Sequence, residues 1–297
     1  MLQPHADPVV PDGGPPQQQI LPPSPPVVWP VAVAVLIAGL LYLGTSVMVT
    51  LAFFAASDLT LNDLGSAKKL FAIPGLLSTS LLVGELSLLA PALVMPLLLR
   101  DAPQGLAARL SWHPGRTRAI EVLLLTIAAL GLGHATQAAS TMAGLWGGNL
   151  KDLDESVRAF SLSGLLVLLV PGAIGAGVCE EVLCRGLIQT RLVARFGPAR
   201  GIGAAALFFG LLHMDPLHSF LAFLLGLLIG WAAWRTGSIV TGVIAHTLNN
   251  AISFVLSWAA LEIPGSSDVR GLLSGLLLLG VCVVLLRREW KPHLVPA

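Results

Sequence analysis

The chain has 297 residues, of which 55% are hydrophobic and 11% are charged, and its mean hydropathy is +0.82. A soluble domain has about 45–50% apolar residues, so this composition predicts a membrane protein. The net charge of +1, without any long basic run, excludes a nucleic-acid-binding surface because such a surface needs clustered Lys and Arg.

Residues 1–27 are rich in proline and glutamine and contain neither Lys nor Arg. Such a composition does not form a packed core, and it lacks the positive charges with which a signal peptide begins. We therefore predict a disordered N-terminal tail, followed by N-terminal transmembrane helices over residues 28–150.

A helix that spans the bilayer needs about 20 mostly apolar residues, and polar or Pro- and Gly-rich breaks mark its ends. Stretches of this kind recur along the whole chain after the tail. We therefore predict an all-α polytopic membrane protein with about eight transmembrane helices. The predicted spans are residues 29–56, 70–99, 119–147, 161–194, 199–214, 217–234, 238–261 and 271–287.

The distribution of positive charge predicts the orientation of these spans, because Lys and Arg are retained on the cytoplasmic side of a membrane. If both termini are cytoplasmic, most Lys and Arg residues between the predicted spans fall on the cytoplasmic side. We therefore predict cytoplasmic termini. The high content of Gly, Ala and Leu is typical of a bacterial plasma membrane protein, which is the location that we predict.

Several ionisable residues lie inside the predicted spans. The fourth span carries Glu180, Glu181 and Arg185, the fifth ends at His213, and the seventh carries His246. Each such group costs a few kcal/mol when a helix inserts into the membrane, so a cluster of them indicates a functional site.

Helical spacing indicates which of these residues act together, because residues three or four apart share a helix face. Glu181 and Arg185 have this spacing and are predicted to form an internal ion pair. Glu180 lies about 100° further round the helix and points elsewhere. His246 and Asn250 are also four residues apart and share a face.

The depth of each group follows from its distance along the helix to the nearest flanking arginine, at about 1.5 Å per residue. Glu180, His213 and His246 come out at similar depths, so we expect their side chains to converge. Glu85 in the second span lies at a comparable depth, and it either faces the same cavity or makes a helix–helix hydrogen bond. His218 is predicted to be a solvated loop residue.

These groups suit peptide hydrolysis, which requires an activated water and a stabilised oxyanion. In this interpretation Glu180 is the general base, His213 helps to position the water, and His246 and Asn250 donate hydrogen bonds to the oxyanion. Zinc is the alternative, with His213, His246 and Glu180 as possible ligands and an open position for water. The sequence contains no HExxH motif and leaves this alternative open.

The same residues form three motifs that resemble a known family. Glu180–Arg185 reads EExxxR, Phe209–His213 reads FxxxH, and His246–Asn250 reads HxxxN. These three motifs, in this order, are similar to those of the CPBP intramembrane proteases, which include CaaX prenyl proteases and bacteriocin-processing enzymes. The resemblance covers about residues 155–290.

The resemblance implies an eight-helix membrane core and endopeptidase activity on a membrane-anchored or lipidated protein or peptide. It implies the catalytic residues named above, with Glu181, Arg185 and Phe209 as structural support. It is compatible with a zinc-dependent mechanism and with a metal-free glutamate mechanism.

Two other functions are compatible with polar groups inside the bilayer. A non-catalytic protein of the same fold would serve bacteriocin immunity or act as a membrane scaffold. A proton- or ion-coupled transporter would use Glu and His residues as a relay, although we find no inverted repeat of the kind that many transporters contain.

Overall fold

The structure is a computed structural model that describes residues 27–55, 72–98, 105–261 and 267–290. The predicted N-terminal tail lies outside these residues except for Val27. Within the described residues the chain forms helices and no strands, which confirms the predicted all-α class. The helices are α1 (Trp29–Ala55), α2 (Pro74–Leu98), α3 (Leu106–Arg109), α4 (Ala119–Met142), α5 (Gly148–Arg158), α6 (Leu162–Phe196), α7 (Pro198–Leu211), α8 (Pro216–Thr236), α9 (Val240–Trp258) and α10 (Val269–Glu289).

Seven helices in the described part of the chain are long and apolar enough to cross a membrane, namely α1, α2, α4, α6, α8, α9 and α10. Large apolar side chains such as Leu40, Leu97 and Leu277 are more than half exposed on their outer faces, which suits contact with lipid. The chain is therefore a multi-pass membrane protein. The plasma membrane and the bacterial source stay predictions.

Of the about eight predicted spans, seven correspond to these helices and one is shorter in the structure. Predicted span 199–214 is the 14-residue helix α7. At 1.5 Å per residue it is about 21 Å long, shorter than the roughly 30 Å hydrocarbon core. The helix ends early because Leu212–Asp215 form a turn in which Met214 has a φ of 51°. The number of crossings decides on which side each terminus lies, so the predicted cytoplasmic termini stay a prediction.

Helices α7 and α8 form a tight antiparallel hairpin. A Cβ atom on Gly210 would lie 2.5 Å from the Ser219 carbonyl oxygen, and one on Gly226 would lie 3.1 Å from the Phe209 ring. These glycines therefore allow the two backbones to approach closely, as small residues do between membrane helices. The hairpin fixes the end of α7 and with it the FxxxH motif.

Helix α6 is not a regular α-helix along its whole length. It contains two π-helical segments, Val170–Gly175 and Val182–Gln189, with the α-helical turn Ala176–Glu181 between them. Pro171 in the first segment has no backbone N–H to donate, which favours a local change in the hydrogen-bond pattern. Single π-helical turns often occur at functional sites.

The packing of α6 brings the polar residues together. It contacts α2, α7 and α9, so it lies at the centre of the helices that carry the three motifs. Its approach to α9 is especially close, because a Cβ atom on Gly177 would lie 2.9 Å from the backbone nitrogen of Thr247. This approach places Glu180 and Glu181 beside His246.

Candidate active site

A buried ion pair joins Glu181 and Arg185. Arg185 Nη1 donates a hydrogen bond of 2.8 Å to Glu181 Oε1, and the two side chains are 1% and 0% exposed. Nη2 donates to the carbonyl oxygen of Gly226 at 3.1 Å, and the guanidinium carbon lies 4.3 Å from the centroid of the Phe209 ring. The ion pair that the spacing predicts is therefore present, and it ties α6 to α7 and α8.

Glu181 has a second partner that the sequence did not indicate. Its Oε1 atom lies 3.1 Å from Nδ1 of His246 on α9. An ionised carboxylate only accepts hydrogen bonds, so Nδ1 carries the hydrogen in this contact. The other ring nitrogen, Nε2, lies 3.9 Å from Oε2 of Glu180. Glu181 thus orients the His246 ring and turns Nε2 toward Glu180.

Glu180 points away from the ion pair, as its position on the helix predicts. Its side chain is 12% exposed, and its Oε2 atom is buried without a hydrogen-bond partner. The Glu180 side chain forms a hydrogen bond with Glu85 of α2. Glu85 therefore lies at the same site as Glu180 and also makes a helix–helix hydrogen bond there, so the two alternatives for Glu85 do not exclude each other.

His213 lies in the turn after α7 and reaches the site through Phe209. The ring centroids of His213 and Phe209 are 5.3 Å apart, and those of Phe209 and His246 are 5.8 Å apart, both edge-on. Phe209 therefore packs against both histidines. Nδ1 of His213 lies 3.0 Å from the Phe209 carbonyl oxygen, so Nε2 is the ring nitrogen that remains for another partner.

The prediction that His218 is a solvated loop residue is wrong. His218 lies in the first turn of α8, is half-buried, and its ring centroid is 4.2 Å from that of His213. His218 is half-buried because of the way in which α8 begins. Pro216 takes the first helical position, and the Asp215 side chain accepts a hydrogen bond of 2.9 Å from the His218 backbone nitrogen. This cap turns His218 back toward the preceding turn.

Asn250 lies one helical turn after His246 and binds α6. Its Nδ2 atom donates to the carbonyl oxygen of Gly172, at 3.1 Å, in the first π-helical segment. Asn249 donates in turn to Asn250 Oδ1 at 3.2 Å. Asn249 therefore supports Asn250, and the Asn250 amide is held at the α6–α9 contact.

The predicted zinc ligands do not form a metal site in this arrangement. Across the described ranges, no three His, Cys, Asp or Glu side chains are grouped closely enough to hold a metal ion. Glu180, His213 and His246 are therefore not grouped as ligands of one ion in this structure. These residues do not fit zinc in the structure.

Comparison with known proteins agrees with the three motifs. Residues 162–252 match the family model described as Rce1-like, Type II CAAX prenyl endopeptidase Rce1-like, and this segment contains all three motifs. No curated protein and no solved structure matches the chain. The match supports an intramembrane CAAX-type endopeptidase in general. The predicted domain limits stay a prediction. The resemblance to the CPBP proteases is thereby confirmed, because residues 162–252 of this membrane protein are similar to the Rce1-like family of CAAX-type endopeptidases.

Proposed function

We propose that the protein hydrolyses a peptide bond of a membrane-anchored or lipidated substrate, with Glu180 as the general base. The observation that carries this proposal is the position of the Glu180 carboxyl beside His246. Its Oε2 atom is buried, accepts no hydrogen bond from an N–H or O–H group, and lies 3.9 Å from His246 Nε2. An oxygen in this position is available to take a proton from a water molecule.

His246 and Asn250 are the proposed donors to the oxyanion. Glu181 occupies Nδ1 of His246, so Nε2 is the ring nitrogen left for the reacting carbonyl, and it donates when both ring nitrogens carry hydrogen. The Asn250 amide uses one N–H on Gly172 and has a second one to donate. Donors that are already oriented stabilise a developing oxyanion without further reorganisation.

His213 is proposed to position the water through Nε2, the ring nitrogen that does not face the Phe209 carbonyl oxygen. The contact of Phe209 with both rings couples His213 to His246, and Arg185 packs on the same Phe209 ring. The buried ion pair therefore supports both histidines. After Glu180 takes the proton from water, it returns that proton to the leaving amine, so that the base is regenerated.

A cleavage assay tests this function. The purified protein, in lipid nanodiscs, is given an internally quenched peptide that ends in a farnesylated CAAX sequence, beside the same peptide without the lipid. We expect the wild type to cleave the lipidated peptide and Glu180→Gln to lose at least about 100-fold in kcat, the usual scale of general-base catalysis.

Glu155→Gln is the matched control, because Glu155 is a carboxyl of α5 outside the site and pairs with Lys151. It should cleave at the wild-type rate. Equal rates for Glu180→Gln and the wild type would remove Glu180 from the mechanism and favour the non-catalytic alternative. A wild type that cleaves neither peptide would contradict the CAAX-type activity.

A further inference from the structure

Glu85 is a buried carboxyl that none of the three motifs contains. It lies in the middle of α2 and is 6% exposed. A Cβ atom on Gly175 would lie 3.3 Å from Glu85 Cγ, so Glu85 packs on the first π-helical segment of α6, five residues before Glu180. An unpaired carboxyl inside a membrane protein is costly, which makes its partner the important question.

That partner is the carboxyl group of Glu180. Glu85 and Glu180 form a side-chain hydrogen bond with each other, and the buried Oε2 atom of each accepts no hydrogen bond from an N–H or O–H group. Ionised carboxylates only accept hydrogen bonds, so a hydrogen bond between two carboxyl groups requires a proton on one of them. A shared proton also removes the repulsion between two negative charges in a medium of low dielectric constant.

We propose that Glu85 is a positioning residue that holds Glu180 through one shared proton and keeps Glu180 Oε2 directed at His246. The catalytic consequence rests on the proposed function, whereas the shared proton does not. The pair resembles other carboxyl dyads in which a single proton is distributed over two groups and titrates with both.

Among the described groups that interact with the Glu85–Glu180 pair, no third carboxyl group is available to take the shared proton. The groups that interact electrostatically with Glu85 or Glu180 come from α1, α6 and α9. They are Tyr42, Cys179, Glu181, Arg185 and His246. The one further carboxylate among them, Glu181, is paired with Arg185 at 2.8 Å. Glu85 is thus the group on α2 that binds Glu180.

The dependence of the rate on pH distinguishes positioning from a purely structural hydrogen bond. If the active pair carries one proton, the wild-type rate falls at alkaline pH when that proton leaves. Glu85→Gln keeps a hydrogen-bond donor to Glu180 but has no such proton to lose. We therefore expect it to retain kcat within about 10-fold and to lose the alkaline fall.

Glu85→Leu removes the donor as well. We expect its kcat to fall about 10- to 100-fold with KM nearly unchanged, because a misplaced base lowers the rate of the chemical step more than binding. The matched control is Glu121→Gln, a buried carboxyl of α4 that pairs with Arg118 and belongs to none of the three motifs. Its pH profile should coincide with that of the wild type.

Infrared difference spectroscopy tests the pair without any cleavage. In ether-lipid nanodiscs, ¹³C-glutamate labelling isolates the C=O stretch of a protonated carboxyl at neutral pH. We expect this band in the wild type and in Glu121→Gln and its loss in Glu85→Gln. In Glu180→Gln we expect a band at a shifted frequency, because Glu85 keeps its proton but donates it to an amide.

The two proposals fail in different ways. A wild type that cleaves, with a pH profile identical to that of Glu85→Gln, would overturn the positioning role. Spectra of the wild type and Glu85→Gln that coincide in the carboxyl region would overturn the shared proton. A wild type that cleaves nothing but shows the band would contradict the proposed function and support the pair.

Discussion

Glu180 and Glu181 are neighbours in sequence but lie in opposite surroundings. Glu181 is 0% exposed, and its charge is matched by Arg185 and by the N–H of His246. Glu180 is 12% exposed, and its hydrogen-bond partner is another carboxyl group. One helical step of about 100° thus separates a carboxylate held in place by positive charge from one that has an oxygen left for chemistry.

The largest expected effect comes from breaking the ion pair on the Glu181 side. Arg185→Met leaves the Glu181 carboxylate buried without its cation, and we expect the free energy of unfolding to fall by about 3–5 kcal/mol. Reversible unfolding in mixed detergent micelles measures this difference.

The double variant Glu181→Met with Arg185→Met sharpens the comparison. It removes both buried charges, so it should recover much of the lost stability, because apolar replacement of a buried pair is often neutral. It should nevertheless stay inactive, since His246 loses the acceptor at Nδ1. A double variant that cleaves at the wild-type rate would show that Glu181 does not orient His246.

A smaller effect is expected where α6 approaches α9. A Cβ atom on Gly177 would lie 2.9 Å from the backbone nitrogen and 3.0 Å from Cα of Thr247, and these atoms move only with the whole helix. We expect Gly177→Ala to lower the unfolding free energy by about 1–3 kcal/mol, the usual range for overpacking. It should also lower kcat, because it separates the two carboxyls from His246.

Gly133→Ala is the matched control for this change. Gly133 is also a glycine inside a membrane helix, but a Cβ atom there would meet no heavy atom within 4 Å. Alanine is the better helix former by up to about 1 kcal/mol, so this variant should be neutral or slightly more stable. Equal losses in both variants would mean that helix propensity, and not the α6–α9 approach, determines the result.

The contacts within one helix were predictable from the sequence, and those between helices were less so. The spacing of Glu181 and Arg185 predicts their ion pair, and the spacing of His246 and Asn250 predicts their common face, because both depend only on helical geometry. The bond between Glu181 and His246 depends on how closely α6 approaches α9, which one glycine and the π-helical segments decide.

The remaining differences between prediction and structure have local causes. The turn after Leu211 shortens α7, so a hydrophobic stretch that looked long enough to span the membrane does not reach that length as a helix. The helix cap at Asp215 moves His218 from solvent to the ring of His213. The depth count predicted that Glu180, His213 and His246 converge, but it did not indicate that both histidines pack against the Phe209 ring. Depth along a helix gives the height of a side chain but not its direction.

The smallest expected effect concerns an ion pair at the surface. Asp268 caps α10 by accepting hydrogen bonds from the backbone nitrogens of Arg270 and Gly271, and it also pairs with the Arg270 side chain at 2.6 Å. Hydrogen bonding from the Arg270 guanidinium, together with the backbone donors, holds the pKa of Asp268 below its ordinary value. Because the folded-state pKa is the lower one, the stabilisation is present above the unfolded pKa and is lost as pH falls through the folded pKa.

Asp268→Asn keeps an N-cap side chain and removes the charge, so it isolates this pH-dependent part. Near neutral pH the free energy of unfolding of the variant should be slightly lower than that of the wild type, because exposed ion pairs contribute little. This loss should be smaller than the losses expected for Arg185→Met and Gly177→Ala. In strongly acidic solution the Asp268 carboxyl is protonated and resembles the amide, so the two unfolding midpoints should converge. A difference that stays constant across this pH range would mean that the charge of Asp268 contributes nothing, in contrast to the buried charge of Glu181.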